Sequence, residues 1–265
     1  MRYAFMSFSA PDASLEALCH LAQQFGYTGI EPRLGAGHAH GIEVDSSSEQ
    51  RRQVRQLVRD YGVEICALAT SGRLADPHQA AAQRQSVRQA IVLAAEVGAP
   101  LVRVFGGPRP AGTSPEAARS TLIEGLGEMA IFGATMGVDV CLETHDDWSD
   151  PRLVHDVLSA VQLSTAGVVW DIMHPVRSGH ATLHEAWNLL APWVRHVHVH
   201  DGTLDQQRLV FRPIGTGDYD HRAVLQYLKL AKYSGFISGE WINWEPATLH
   251  LPRELAALRR LEAEV

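Results

Sequence analysis

The sequence predicts an α/β chain of the (β/α)8 TIM-barrel class, a single domain over residues 1–265. Three observations carry this. Short apolar runs rich in β-branched residues alternate with longer stretches of helical periodicity. Eight such runs recur at intervals of roughly 25–40 residues, and strict alternation calls for parallel neighbours joined by crossovers. The length, 265 residues, is close to the ~250 typical of one closed barrel. An open nucleotide-binding sheet is disfavoured, because no strand is followed by G-x-G-x-x-G or a P-loop.

The expected strands are YAFMSF (3–8), TGIEP (28–32), VEICALA (63–69), LVRVFG (101–106), VDVCLET (138–144), AGVVWDI (166–172), VRHVHVH (194–200) and GFISGEW (235–241). Amphipathic helices lie between them. Residues 14–26 place Leu15, Leu18, Leu21 and Phe25 on one stripe and end in glycine. Residues 48–62 also stop at glycine. Residues 114–137 open with serine at the N-cap, then proline and glutamate.

Bulk properties narrow the partners. The chain is 46% hydrophobic and 20% charged, ample for a core, and its formal net charge is −7 without a basic run. Nucleic acid and anionic membrane are therefore not expected as main partners. Cys19, Cys66 and Cys141 are odd in number and lack metal-type spacing, so they read as buried thiols in a reducing compartment. The N-terminal MRYAFMSFSAPD lacks signal-peptide features, and no apolar run reaches the ~18–20 residues of a membrane span. A cytoplasmic location is expected.

In such barrels the active site forms at the C-terminal ends of the strands. The fifth strand ends in Glu143, the sixth in Asp171 and the eighth in Glu240, and the seventh carries HVHVHD (196–201). Strand alternation puts His196, His198 and His200 on one face. With His198 as the member of interest, the intervals are 28, 27 and 42 residues, the last being one βα unit plus the loop QQRLVFRPIGTGDYD. These four residues form an O3N set suited to Mn2+, Mg2+ or Zn2+. Each has an ordinary alternative. Glu143 could pair with a cation, Asp171 could cap the next turn, and only one ladder histidine need be a ligand. His196 would sit deeper as a hydrogen-bonded core residue, and His200 beyond the strand end.

These segments resemble the xylose isomerase-like barrel superfamily, which includes sugar phosphate isomerases and epimerases and AP endonuclease family 2. The likeness spans the chain and is specific where ETHD, WDIMHP, HVHVHD, RPIGTG and SGEW follow in order. GYTGIEPRL and LVRVFGG match the second and fourth strands in pattern. The resemblance implies Glu143, Asp171, His198 and Glu240 as metal ligands. It further implies substrate contacts from His174 and Arg212, and double duty for Glu143 and Glu240 as acid/base groups. His145 and His200 depart from the family's usual residues and bear on substrate choice. Mn2+ or Zn2+ is the expected ion, with Mg2+ or Co2+ as alternatives, and a homo-oligomer is compatible with the relatives.

The expected activity is isomerisation or epimerisation of a small polyhydroxylated ketone through an enediolate. The alternative is dehydration of an inosose or 3-dehydroshikimate type of substrate. Hydrolysis at abasic DNA is disfavoured, since the third and fourth strand ends carry no histidine. A barrel that has lost its chemistry is the non-enzyme reading. Glycine-rich 32–45, with His38 and His40, is either a lid or a plain loop. Glu31 and Arg33 either face the site or pair with each other. Arg73 and Arg109 either bind an anionic substrate group or are solvated. Trp148, Trp170, Trp241 and Trp244 are either ligand walls or packing.

Overall fold

In the computed structural model, which describes residues 1–205 and 208–265, β-strands and helices alternate as expected. Strand β1 (Arg2–Met6) leads to helix α1 (Leu15–Phe25), β2 (Gly29–Glu31) to α2 (Ser48–Asp60), and the pair β3 (Glu64–Ile65) and β4 (Leu68–Arg73) to α3 (Ala80–Val97). Then come β5 (Leu101–Phe105), α4 (Pro115–Met136), β6 (Asp139–Glu143), α5 (Pro151–Val161) and β7 (Ala166–Asp171). Two short helices, α6 (Met173–Arg177) and α7 (Leu183–Leu190), precede β8 (Val194–Val199). A hairpin of β9 (Asp201–Asp205) and β10 (Arg208–Arg212) follows, then α8 (His221–Leu230), β11 (Phe236–Gly239) and α9 (Ala247–Ala263).

Nine parallel strands run in the order β3-β2-β1-β11-β8-β7-β6-β5-β4. The two ends of this order are the two halves of one chain segment. A parallel bridge between Arg33 and Ala69 adds a further link there, so the sheet curls into a TIM barrel. The third strand is the main departure from expectation. It pairs with β2 through Glu64 and Ile65, breaks at Cys66–Ala67, and continues past Ala69 to Arg73 with a register shift. The Thr70 hydroxyl donates to the Arg103 carbonyl and accepts from Gly72 N–H. That local bonding kinks a stretch whose polar residues had marked it as loop.

The helices start and stop where the capping residues dictate. Ser14 accepts from Ala17 N–H at the start of α1, and Gly26 ends it with φ of 87°. Ser47 and Gln50 form a capping box on α2, and Ser114 caps α4 ahead of Pro115. The core is a cylinder between strands and helices, including Leu18, Ile91, Leu122, Leu158 and Leu255. Full burial of each such side chain contributes about 1.5–3 kcal/mol. Inside the barrel the lowest residues are apolar, with Ala4, Cys66 and Phe236 in one group and Ala67, Leu101, Cys141 and Val169 in another. All three cysteines are free and buried. Among the described residues no helix is long and apolar enough to cross a membrane.

The segment after β8 had read as an inserted loop. It is instead an antiparallel hairpin, with Asp201 opposite Arg212 and Thr203 opposite Val210. Gln206 and Gln207, the first residues of that expected loop, lie outside the described residues. Asp201 anchors the return of the chain. One carboxylate oxygen accepts from Gly202 N–H at 2.8 Å, and the other from Gly215 and Gly217 N–H at 2.8 and 3.0 Å. A Cβ at Gly217 would collide with this carboxylate, which explains the glycine there. Asp201→Ala leaves the buried Gly202 N–H and the partly buried Gly217 N–H without an acceptor and should cost about 1–3 kcal/mol in urea unfolding, with Asp201→Asn losing less. Unchanged stability in the alanine variant would refute the anchor.

Candidate metal centre

The strands β11, β8, β7 and β6 are consecutive neighbours in the barrel, and their upper ends hold the four residues expected to converge. Asp171 is the direct cross-strand partner of His198, Glu143 pairs two residues lower with Val169, and Ser238 sets Glu240 just above the end of β11. Glu240 therefore lies beyond its strand, with its N–H still donating to the Val199 carbonyl at 3.1 Å. One ligand atom from each of Glu143, Asp171, His198 and Glu240 lies within 4.8 Å of all the others. Glu143, Asp171 and His198 are at most 1% exposed. The Glu240 side chain is 12% exposed and faces the mouth.

His198 is the hub. Its Nδ1 lies 2.8 Å from Glu143 Oε1 and 3.5 Å from Glu240 Oε2. Its Nε2 lies 3.0 and 3.1 Å from the two oxygens of Glu31. Glu31 is fully buried and also lies 2.8 Å from His196 Nε2, so it does not pair with Arg33. Arg33 instead donates to the Leu34 and Ala69 carbonyls and to the Ser71 hydroxyl. His196 is the hydrogen-bonded core histidine expected below the ligand.

The donor set fits a divalent ion on an observation independent of type and spacing. Glu143 Oε2 and Asp171 Oδ2 are buried and have no hydrogen-bond partner. Arg103 Nε lies 3.3 Å from Glu143 Oε2, but Asp171 Oδ2 has only His174 and His200 at 3.9 Å, and a carboxylate oxygen held away from water in that state is costly unless a cation meets it. Asp171 also fills its ordinary role, since Oδ1 accepts from the Met173 and His174 N–H groups that open α6 at 2.8 and 3.3 Å. One oxygen caps and the other is free.

The flanking histidines divide into two sets. His145 and His174 meet ring to ring at 4.2 Å, and Phe105 lies 4.8 Å from His145. Both line a cavity of about 700 Å³ with Arg177 and Leu204. Burial works against a charge on His145, but Asp146 and Glu143 outweigh it and raise its pKa. Burial lowers that of His174, and the nearby His145 adds to the effect while Asp171 opposes it. His200 lies one residue past the end of β8, as expected, and is 3% exposed, with Nε2 3.1 Å from Met173 Sδ and Nδ1 without a hydrogen bond. Arg212 is not brought to the cluster. It is exposed on β10, and its hydrogen bond among the described residues goes to Thr203.

Arg103 was not singled out from the sequence. It is 1% exposed, with Nε 3.3 Å from Glu143 Oε2 and its guanidinium stacked 4.0 Å over the Phe105 ring. The pattern LVRVF could have flagged it, because alternation points Arg103 inward. His40 is a bonded loop residue, accepting from Ile42 N–H, and His38 lies 2.8 Å from Ser7 Oγ at the end of β1. Arg109 donates to the Thr113 carbonyl, and the Arg73 N–H bonds Gln83. Trp148 fills the space above Gly106 and donates to the Gly107 carbonyl, while Trp170 and Trp241 are core.

Charge in the cluster sets a pH window. Burial opposes a charge on His198, but the carboxylates of Glu31 and Glu143 outweigh it and hold its pKa well above 6.5. Burial likewise opposes ionisation of Glu31 and Glu240, yet the neighbouring histidines hold Glu31 well below 4.5 and Glu240 at about 2. A raised pKa adds stability that is complete below the unfolded value and lost as pH rises through the folded one. A lowered pKa adds stability that is present above the unfolded value and lost as pH falls. Ion-free protein should therefore weaken from about pH 4.5 towards about pH 2, and again on the alkaline side of 6.5. Calorimetry of chelator-treated protein across pH checks this, and a flat alkaline limb would refute a charged His198.

No curated protein sequence matches the chain. Solved structures share its fold at low identity. The probable 3-DHS dehydratase AsbF of Bacillus anthracis is 18% identical with a TM-score of 0.81, covering 98% of this chain and 99% of its own. An L-ribulose 3-epimerase is 16% identical with a TM-score of 0.81 over 99% and 96%. The 3-keto-D-glucoside 4-epimerase YcjR of E. coli is 17% identical with a TM-score of 0.79 over 98% and 99%. The sequence profile of the xylose isomerase-like TIM barrels matches residues 19–261, and the chain belongs to that family.

Proposed function

We propose that this protein is a divalent-metal-dependent isomerase or epimerase of a small polyhydroxylated hydroxy-ketone. The observation that carries the reading is the convergence of Glu143, Asp171, His198 and Glu240, with two buried carboxylate oxygens left without a hydrogen bond. Structural likeness to two sugar epimerases supports it. A divalent ion held by these four residues supplies Lewis-acid polarisation of the ketone.

The chain's own residues then move the proton. Glu143 and Glu240 come from the two outer strands of the four and flank the cluster from either side. One carboxylate takes the proton from the carbon between the carbonyl and the hydroxyl, giving an enediolate, and the other returns it. Return to the opposite face is 3-epimerisation, and return to the neighbouring carbon is isomerisation. His145 and His174 orient the substrate oxygens from the cavity side, and the closed interior excludes water from the enediolate.

Dehydration is the second reading, favoured by one feature. Expelling a β-hydroxyl needs a proton donor near the leaving oxygen, and His145 is a histidine at the mouth whose pKa is raised. The neighbouring His174 has the opposite tendency.

Elemental analysis of purified protein should find about one divalent ion per chain, lost in Glu240→Ala and in His198→Ala. No ion after reconstitution would sink the proposal. Metal-loaded protein incubated in D2O with ketoses, inososes and 3-dehydroshikimate should exchange one carbon-bound proton of its substrate, read by NMR. Glu143→Gln should slow that exchange ~10²–10⁴-fold. Exchange unaffected by this change would remove Glu143 from the reaction.

A further inference from the structure

Glu31 reaches the cluster from the other side of the barrel. Its strand β2 is separated from β8 by β1 and β11, so its bonds to His196 and His198 cross the interior. We propose that Glu31 is a positioning residue that makes Nδ1 of His198 the ligating nitrogen, and so tunes the centre towards Mn2+, Zn2+ or Co2+ and away from Mg2+. This inference rests on the metal-centre reading above.

An ionised carboxylate only accepts hydrogen bonds. Both of its oxygens lie against His198 Nε2, at 3.0 and 3.1 Å, so that nitrogen must carry a proton. The lone pair of a neutral ring then belongs to Nδ1, the nitrogen that faces Glu143 and Glu240. Donation to a carboxylate also makes the imidazole a stronger base and a better ligand. Nitrogen donors of that kind favour borderline ions, whereas Mg2+ prefers an all-oxygen shell. His196 completes the device. Its Nε2 lies 2.8 Å from Glu31 Oε2 and its ring packs edge-on to His198 at 5.4 Å, which holds the carboxylate in register.

A rival reading makes Glu31, Cys66 and His196 a second metal site, since one ligand atom of each lies within 4.8 Å of the others. The bonding argues against it. Cys66 Sγ donates to the Ile30 carbonyl, and Glu31 and His196 are already joined to each other. Orphaned oxygens of the kind found at Glu143 and Asp171 do not occur in this trio.

The test is calorimetric titration of apo-protein with Zn2+, Mn2+ and Mg2+, for wild type, Glu31→Gln and His196→Gln, with circular dichroism to check folding. Glu31→Gln should weaken Zn2+ and Mn2+ binding ~10–100-fold and Mg2+ binding far less, shrinking the selectivity ratio. His196→Gln, which keeps a donor to Glu31, should change the ratio little. Equal losses for all three ions would mean general loosening, and unchanged affinities would mean no role; either overturns the inference while leaving the metal centre intact. A wild type that binds no ion overturns both. If Glu31→Gln does not fold, histidine 15N NMR of the Zn2+-loaded wild type decides alone. One ring should be coordinated through Nδ1 with Nε2 protonated, and coordination through Nε2 would overturn the proposal.

Discussion

Four carboxylates are gathered at the top of the barrel, those of Glu31, Glu143 and Asp171 buried and that of Glu240 nearly so. Their mutual repulsion is the constraint from which the rest of the site follows, because charges of one sign cannot be buried together without partners. The chain supplies three cations nearby: Arg103 against Glu143, Arg33 at the end of β2, and a protonated His198 between Glu31 and Glu143. That leaves one negative charge in excess. A divalent ion taking the place of the His198 proton would bring the set to neutrality. Metal binding and charge balance are in this sense a single requirement on the same residues.

The barrel makes such a cluster possible because the four donors sit on neighbouring strands whose register is fixed by backbone ladders. Asp171, for example, cannot drift without breaking its pairing with His198 on β8 and its two backbone bonds to the Thr144 hydroxyl after β6. What can vary lies outside the ladders. Among the described residues the β9 and β10 strands pair only with each other and leave Leu204 and Val210 exposed, with the Asp201 carboxylate tying their base to Gly215 and Gly217. The hairpin also sends Leu204 to the cavity that His145 and His174 line.

The sequence made the fold legible wherever a residue's fate depends on its own strand or helix. Glu143, Asp171, His198 and Glu240 could be picked out because strand ends are readable from apolar runs, and a barrel makes equivalent ends converge. Ser14, Ser47 and Ser114 could be read as helix starts for the same local reason. Glu31 and Arg103 were less legible, because their partners are brought to them only by closure of the barrel. The G-x-G turn after Arg212 has a structural use that its motif did not announce, since Gly215 and Gly217 donate to the Asp201 anchor. The hairpin escaped notice because neither of its faces is buried enough to impose a clean alternation. The broken third strand had no apolar signal beyond Ala69, where side-chain bonding by Thr70 shapes the chain.

The two flanking glutamates are chemically alike but held very differently. Glu143 ends β6 fully buried, with Oε1 on His198 and Oε2 beside Arg103, so its position is determined from both sides. Glu240 lies past its strand with its side chain partly open to the mouth, and its nearest charged partner is His198 at 3.5 Å. A carboxylate with that freedom can follow a substrate atom through proton transfer, whereas Glu143 can act only on an atom delivered to it. Under the proposed proton transfer, this asymmetry would put the burden of alignment on groups lining the neighbouring cavity, His145 and His174 among them. Those two histidines are packed ring to ring with opposite proton preferences, the charged form favoured on His145 and the neutral form on His174.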